Sequence, residues 1–188
     1  MTPTEILSDE HRLIEQVLDC LDKAAGRLED GDAIDPEVFL DAAEFVTGFA
    51  DRCHHSKEED ILFVALTAKD MPQDRGPVAV MLHEHDAGRQ YTQGFRSAAE
   101  QLKAGNAGAA TDVVRNVFDY VGLMREHIIK EDKVLFPMAE QLITGDDLQK
   151  LSRDFERVIA EHEASGKIAK YQALAHKLVA ALETETAA

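Results

Sequence analysis

Apolar residues recur along this chain in steps of three and four. Four long segments keep this spacing, and each has a histidine at one position of its apolar stripe. Such steps are typical of the buried face of an α-helix, and no stretch shows a sustained period of two. Turn-forming residues separate the segments near 29–31, 71–76 and 105–108. The pattern therefore predicts an all-α protein, an antiparallel up-and-down four-helix bundle.

The rest of the chain predicts an additional C-terminal helical segment. Gly145 and Gly166 divide it into two further amphipathic stretches. We therefore expect one bundle domain over residues 1–145 and a helical extension over residues 146–188, packed on the outside of the bundle. A length of 188 residues is sufficient for a single domain with a substantial core.

A ten-residue motif occurs twice in the sequence. Residues 54–63 read HHSKEEDILF and residues 127–136 read HIIKEDKVLF, so that His, Lys, Glu, Leu and Phe coincide. In each copy a histidine and a glutamate lie four residues apart, which places both on one face of a helix. His54–Glu58 and His127–Glu131 are therefore predicted to point into the bundle together. The same helical periodicity predicts that Ile61 and Val134 continue these inward stripes.

A second HxxxE pair, His55–Glu59, overlaps the first copy. The distance to the phenylalanine decides between the two registers, because Glu58 precedes Phe63 as Glu131 precedes Phe136. His55 and Glu59 are therefore expected about 100° further round the helix, facing solvent or forming an outer layer around the site.

Carboxylates in an apolar core require a partner, because an isolated buried charge costs at least several kcal/mol. A shared cation would remove this penalty, and imidazole with carboxylate suits iron, manganese or zinc. Four imidazoles divide evenly between two ions, and two glutamates can bridge them, with an oxide or hydroxide completing the cluster. The six predicted metal ligands are His11, His54, Glu58, His85, His127 and Glu131.

As a set, these motifs resemble the hemerythrin-like family, also called the HHE cation-binding domain. The set consists of EH at 10–11, HHxKEExxLF at 54–63, EHxxGR at 84–89 and HxxKEDxxLFP at 127–137, and the resemblance covers roughly residues 5–145. It implies a four-helix bundle with a non-haem di-iron centre, in which the four histidines are terminal ligands while Glu58 and Glu131 bridge. Members of the family bind dioxygen reversibly, handle nitric oxide or peroxide, sense oxygen or help to repair iron centres.

Two departures from the oxygen carriers of that family weaken the case for reversible oxygen storage. Arg89 stands where the carriers have a further histidine, and the last motif is HxxxE where theirs has an aspartate five residues after the histidine. One iron would then lack a ligand. Candidates near the vacancy are His162, as an additional ligand, and Tyr120, as a ligand or a hydrogen-bonded core phenol. Arg89 is expected to hold a bridging carboxylate through a charged hydrogen bond.

The predicted function is that of a di-iron protein that binds or reacts with dioxygen, nitric oxide or peroxide. A peroxide- or nitric-oxide-consuming enzyme and an iron-centre repair or iron-handling protein are alternatives within the same chemistry. A non-redox zinc or manganese module and an interaction module built on the tail are alternatives of other classes. The sequence leaves open a monomer or a homodimer.

The net charge of the chain and its N-terminal residues give expectations about its partners and its location in the cell. A net charge of −16 argues against nucleic acid and anionic membranes as partners. No apolar run reaches the ~18 residues of a membrane-spanning helix, and the acidic N-terminus does not resemble an export signal. Two cysteines are too few for a disulfide framework. We therefore expect a cytoplasmic protein.

Overall fold

The regular structure of the chain is helical. The computed structural model describes residues 1–185, with side chains to residue 181, so that 186–188, at the end of the predicted extension, lie outside the described residues. Within this range there is no strand, which confirms the helical prediction. The α-helices are α1 (Pro3–Glu29), α2 (Glu37–Phe45), α3 (Phe63–Thr67), α4 (Gly76–Lys103), α5 (Ala110–Lys130), α6 (Phe136–Leu142), α7 (Gly145–Ala164) and α8 (Lys167–Glu185). A short 3-10 turn, Ala107–Ala109, precedes α5.

Within residues 1–185, three π-helical segments lie inside two long helical rods. Val46–His55 and Glu58–Leu62 lie between α2 and α3, and Glu131–Leu135 lies between α5 and α6. The helix continues through them, so that 37–67 and 110–142 each form one rod. Glu58–Leu62 and Glu131–Leu135 lie at matching positions within the two copies of the repeated motif, and Val46–His55 ends at the second residue of the first copy. A π-helical turn closes i→i+5 hydrogen bonds and often marks a functional site.

These segments shift the buried register by one residue. Beyond Glu58 and Glu131, α-helical periodicity predicts Ile61 and Val134 as the next inward residues. The structure instead buries Leu62 and Leu135, while Val134 is 50% exposed. The prediction was wrong at Val134, whereas Ile61 is partly buried. The shift arises because a π-helical turn contains one residue more than the α-helical turn that the pattern assumes.

Local signals in the sequence account for the helix starts. Thr2 and Glu5 form a reciprocal capping box, in which the Glu5 backbone N–H donates to Thr2 Oγ1 at 3.2 Å and the Thr2 N–H donates to Glu5 Oε2 at 2.7 Å. Asp35 Oδ1 accepts from the Glu37 N–H at 2.9 Å at the start of α2. Gly166 links α7 to α8 at φ +70°, a conformation that favours glycine.

Helix packing divides the core into two apolar clusters. α5 packs against α4 and α1, α2 packs against α4, and α8 lies along α1 and α2. The first cluster includes Ile14 of α1 and Phe95 of α4, and α8 adds Tyr171 to it. The second includes Leu7 of α1, and α7 adds Phe155. The four-helix topology and the division at residue 145 stay predictions.

Polar residues separate the two clusters on every long rod. On α1, for example, His11 lies between Leu7 of the second cluster and Ile14 of the first. His11, His54, His85 and His127 are each at most 1% exposed. The histidines of the sequence analysis therefore form a buried polar layer across the interior. No helix within residues 1–185 is long and apolar enough to cross a membrane.

Helix α8 docks on the bundle through a close approach at Gly48. A Cβ atom placed on Gly48 would lie 2.0 Å from Cζ and Oη of Tyr171, so that no larger residue fits unless the ring moves. Tyr171 is 7% exposed and belongs to the first apolar cluster. The absence of a side chain at Gly48 thus makes room for the main aromatic contact of α8.

We predict that Gly48→Ala lowers the free energy of unfolding by about 1–3 kcal/mol, because the added methyl group would overlap the Tyr171 ring. In a Tyr171→Ala background the same change should cost little, since the clash is removed. Denaturant unfolding of both single variants and the double variant measures this coupling. Gly26→Ala is the matched control, since a Cβ at Gly26 meets no atom within 4 Å. Equal costs for Gly48→Ala in the two backgrounds would contradict the assignment.

Candidate metal centre

The buried polar layer contains two overlapping groups of metal-ligand side chains. Within each group the ligand atoms lie within 4.8 Å of one another, and Glu58 belongs to both. All members are buried. The first group is His55, Glu58, His85 and His127, and the second is His11, His54, Glu58 and Glu131. The structure thus brings together the six residues predicted from the sequence and adds His55.

The two carboxylates lie between the histidine pairs. Glu58 Oε1 is 3.4 Å from His54 Nε2, and Glu58 Oε2 is 3.5 Å from His85 Nε2. Glu131 Oε2 is 3.2 Å from His11 Nε2 and 3.3 Å from His127 Nε2. Each carboxylate therefore faces histidines of both groups, which is the placement that a bridging ligand requires.

Each of the four predicted histidines is oriented by a carboxylate outside the layer. The Nδ1 atoms of these histidines hydrogen-bond to acidic side chains, which leaves each Nε2 directed at the centre. The pairs are His11 with Asp132 at 2.9 Å, His54 with Glu10 at 2.9 Å, His85 with Glu59 at 2.7 Å and His127 with Glu84 at 3.0 Å. Carboxylates of this kind fix the tautomer and ring orientation of metal-bound histidines.

The sequence left Glu59 either in solvent or in this outer role, which the structure shows, and it did not reveal the other three carboxylates. The available signal was adjacency, because Glu10, Glu84 and Asp132 each stand next to a candidate ligand in the sequence. Each of the three nevertheless binds the histidine of another rod. A residue one position along a helix points about 100° away, and in a bundle that direction leads to a neighbouring helix.

Basic side chains hold the outer carboxylates. Lys57 Nζ donates to Glu10 Oε1 at 2.6 Å, and Arg89 donates to Glu59 Oε1 at 2.6 Å. Lys130 pairs with Glu84, and Arg12 pairs with Asp132. Each of these four carboxylates, which together form an outer ring around the histidines, thus also contacts a lysine or an arginine. The basic side chain keeps the carboxylate ionised and in place.

The partner predicted for Arg89 was wrong. Arg89 does not bond to Glu58 or Glu131; it donates to Glu59 Oε1, to Asp51 Oδ1 at 2.7 Å and to Asp86 Oδ1 at 2.9 Å. The Arg89 side chain is 38% exposed, whereas the two central glutamates are fully buried. Arg89 therefore acts on the site through Glu59 and His85 instead of directly.

His55 occupies a position that the α-helical pattern assigned to solvent or to an outer layer. Its ring is 5% exposed and stacks on His85, with the centroids 3.9 Å apart. Neither ring nitrogen has a hydrogen-bond partner among the described residues. The solvent-facing prediction was wrong because residues 46–55 are π-helical, which reduces the angle between consecutive residues and lets His54 and His55 face the same interior.

Several polar atoms at the centre have no hydrogen-bond partner among the described residues. They are Nε2 of His11, both ring nitrogens of His55 and all four carboxylate oxygens of Glu58 and Glu131. Buried polar groups are normally paired, since an unpaired one costs about 1–3 kcal/mol and a charged one more. A cation bound among these unpaired nitrogen and oxygen atoms would be coordinated by them.

The electrostatics of the centre separate the two carboxylates. Burial and the neighbouring Glu131 raise the pKa of Glu58 well above its usual value. Burial would also raise the pKa of Glu131, but His127 and His11 outweigh it and hold this pKa well below its usual value. Burial lowers the pKa of His54 to about 4 and lowers that of His55 as well. Both rings are therefore neutral near pH 7, which is the state that binds a metal.

The remaining candidates lie outside both groups. Tyr120 is 1% exposed, and its hydroxyl has no hydrogen-bond partner among the described residues. His162 of α7 is partly buried and is not among the residues of either group. His55 lies in the same donor group as His85, near which the further histidine of the oxygen carriers is missing. His162 and Tyr120, the candidates from the sequence, lie in neither donor group.

Comparison with known proteins agrees with this geometry. Residues 2–139 match the family described as Hemerythrin HHE cation binding domain. An uncharacterized protein of Mycobacterium tuberculosis (strain ATCC 25618 / H37Rv) is 22% identical over 178 residues, which cover 95% of this chain and 68% of the relative. No solved structure matches this chain.

A partial likeness extends to iron-sulfur cluster repair proteins YtfE. The protein of Musicola paradisiaca (strain Ech703) is 32% identical over 88 residues, and that of Dickeya chrysanthemi (strain Ech1591) is 31% identical over the same length. The matched region covers 46% of this chain and 40% of each YtfE protein.

The family match takes in all seven residues of the two donor groups. The chain therefore belongs to the hemerythrin family of HHE cation-binding domains, as the resemblance in its motifs predicted.

Proposed function

We propose that this protein holds two iron ions and uses them to bind or transform a small ligand, namely dioxygen, nitric oxide or peroxide. The observation that carries the proposal is the set of unpaired nitrogen and oxygen atoms buried at the centre. In the proposed assignment His11, His54, His85 and His127 are terminal ligands, Glu58 and Glu131 bridge, and His55 is added. The four long rods would form the four-helix bundle of the family.

Energetics favour a cation at this point over a metal-free polar core. Glu58 and Glu131 are both 0% exposed, and neither accepts a hydrogen bond from the described residues. Without a cation, burial and Glu131 favour the protonated form of Glu58, while His127 and His11 compensate Glu131. Ionising both carboxylates together in this interior would therefore cost several kcal/mol. Two cations between the carboxylates and the imidazoles would remove this cost.

The donor set supports iron over a structural zinc ion. Structural zinc sites are closed tetrahedra, most often built from cysteine and histidine. Both cysteines lie outside the donor groups, which consist of imidazoles and carboxylates and share Glu58. Inward-facing carboxylates and histidines on facing helices are the usual construction of carboxylate-bridged dimetal sites. A bridging oxide or hydroxide would complete the cluster.

When bound, a reduced iron pair would supply the electrons for reaction with such ligands. The protein's own part is to hold the rings and carboxylates in place. The outer ring of Asp132, Glu10, Glu59 and Glu84 orients the four histidine rings and sets their Nε2 atoms toward the centre. Arg89, Lys57 and their counterparts keep these carboxylates ionised. Such a rigid surround is what precise positioning of reactive ions requires.

A second candidate function is iron-centre repair or another form of iron handling. The partial likeness to iron-sulfur cluster repair proteins supports it. In that function the iron pair would serve damaged iron–sulfur proteins instead of a gas. The likeness covers less than half of this chain, and so dioxygen, nitric oxide or peroxide remain the leading ligands.

The iron content tests the proposal directly. Protein purified from iron-replete cells should contain about two iron ions per chain. Absorption spectra of the reduced protein, recorded before and after exposure to dioxygen, nitric oxide or peroxide, should change with at least one ligand. Stoichiometric zinc or manganese in place of iron would overturn the redox proposal and favour a non-redox module. Stable, reversible spectra indicate a carrier or sensor, and repeated consumption of the ligand indicates an enzyme.

Glu58→Ala is expected to lose most of the bound metal, because Glu58 contributes to both donor groups. Glu59→Ala should keep two ions at saturating metal but bind them roughly 10–100-fold more weakly, since Glu59 only orients His85. Metal analysis after dialysis against a graded series of chelator concentrations distinguishes the two variants. An emptied site in Glu59→Ala together with a filled one in Glu58→Ala would reverse the assignment.

His55→Ala should reduce the iron content toward about one ion per chain, because one donor group loses an imidazole. His162→Ala should leave both the iron content and the absorption spectrum unchanged, since His162 is in neither group. The exposed His83 provides a matched surface control as His83→Ala. If His162→Ala changes the spectrum and His55→Ala does not, the additional ligand comes from α7.

A further inference from the structure

A cavity of about 460 Å³ opens beside the first donor group. Its wall combines residues of the π-helical segment Val46–His55 with residues of α4 and α5. His55 and His85 form part of this wall. A water molecule takes up about 30 Å³ in the liquid, so a ligand of a few atoms fits with room to spare.

The cavity meets the centre from one side. His55 and His85 both belong to the first donor group, together with His127 and Glu58. His11 and His54, which belong to the second group, are not among the residues of this wall. A ligand that arrives through the cavity therefore meets the His55–His85 side before the other.

Tyr120 supplies an uncommitted hydrogen-bond donor at this cavity. It is part of the wall, is 1% exposed, and has a hydroxyl with no partner among the described residues. A buried phenol normally has a partner, because leaving the O–H unpaired is costly. Burial and the nearby Asp51 raise the pKa of Tyr120, so that the hydroxyl keeps its proton.

Two neighbouring polar groups of the wall are already engaged. The Thr92 hydroxyl donates to the Gly88 carbonyl at 2.8 Å. Arg89 donates to Asp51, Asp86 and Glu59. Unlike these two groups, the Tyr120 hydroxyl donates to no acceptor among the described residues, and its oxygen is buried in the wall.

We propose that small ligands reach the metal centre through this cavity, on the side of His55 and His85, and that Tyr120 donates a hydrogen bond to the ligand held there. The inference rests on the proposed function and adds to it an entry side and a positioning residue. The ligand class is a small neutral or singly charged molecule with a hydrogen-bond acceptor atom. Tyr120 positions this ligand and is not a metal ligand.

Azide is a suitable probe because it is small, accepts hydrogen bonds and has an infrared stretch that responds to them. The experiment uses the iron-loaded oxidised protein and measures azide association and dissociation by stopped-flow absorption, together with the azide stretch. Gly88→Leu and Thr47→Phe place bulk in the wall from α4 and from the π-helical segment respectively. Either should slow association at least tenfold. The matched control, Gly122→Leu, adds the same bulk at an exposed glycine where a Cβ meets no atom within 4 Å.

Tyr120→Phe removes only the hydroxyl. It should leave the association rate unchanged, accelerate azide dissociation about three- to tenfold and shift the azide stretch, as expected for the loss of one hydrogen bond. Tyr91→Phe is the matched control, because Tyr91 of α4 is partly buried but is not part of the cavity wall. Iron content is measured for each variant, so that a change in loading is not mistaken for a change in access.

Association rates within twofold of the parent in both Gly88→Leu and Thr47→Phe would overturn the entry side. An unchanged dissociation rate and azide stretch in Tyr120→Phe would overturn the role of the hydroxyl. An iron-loaded parent that binds no azide would also overturn this inference while leaving the iron centre in place. A parent that holds no iron would instead overturn the proposed function on which the inference depends.

Discussion

Two carboxylates lie buried among histidines at the centre of this protein, and the surrounding structure accommodates them. Glu58 and Glu131 are fully buried between two apolar clusters, where charge is stable only if it is compensated. Imidazoles surround these two carboxylates, and an outer ring of carboxylates paired with lysine and arginine side chains holds the imidazoles in place. Membership of a cation-binding family is consistent with this arrangement, because metal ions would bind the imidazole and carboxylate groups gathered at the centre.

The π-helical segments give the centre its composition. An α-helix directs consecutive residues to different sides, so that one rod would contribute His54 or His55 but not both. The widened turns of residues 46–55 place both imidazoles in the interior, and the segment at Glu58–Leu62 moves Leu62 inward in place of Ile61. A local departure from α-helical geometry thus adds a donor at the side of the centre where the cavity opens.

The outer ring also links the rods to one another. His54 of the rod 37–67 hydrogen-bonds to Glu10 of α1, and His11 of α1 hydrogen-bonds to Asp132 of the rod 110–142. These buried or partly buried pairs specify how the helices align, because a shift of one helix along another would separate a histidine from its carboxylate. The same contacts that orient the centre therefore contribute to the specificity of helix packing.

The helical class, the family and the six central residues were all predictable from local sequence patterns. The apolar steps of three and four and the repeated HxxxE motif are local patterns, and local patterns can be read without knowledge of the fold. Other features become visible only when the helices are packed together. His55 turns inward, and Arg89 binds Glu59. Glu10, Glu84 and Asp132 each hydrogen-bond to a histidine of another rod. These features depend on helical pitch and on the rotation of one helix against the next. Both are set by packing between segments distant in the chain, and a periodicity that assumes a uniform α-helix contains no information about them.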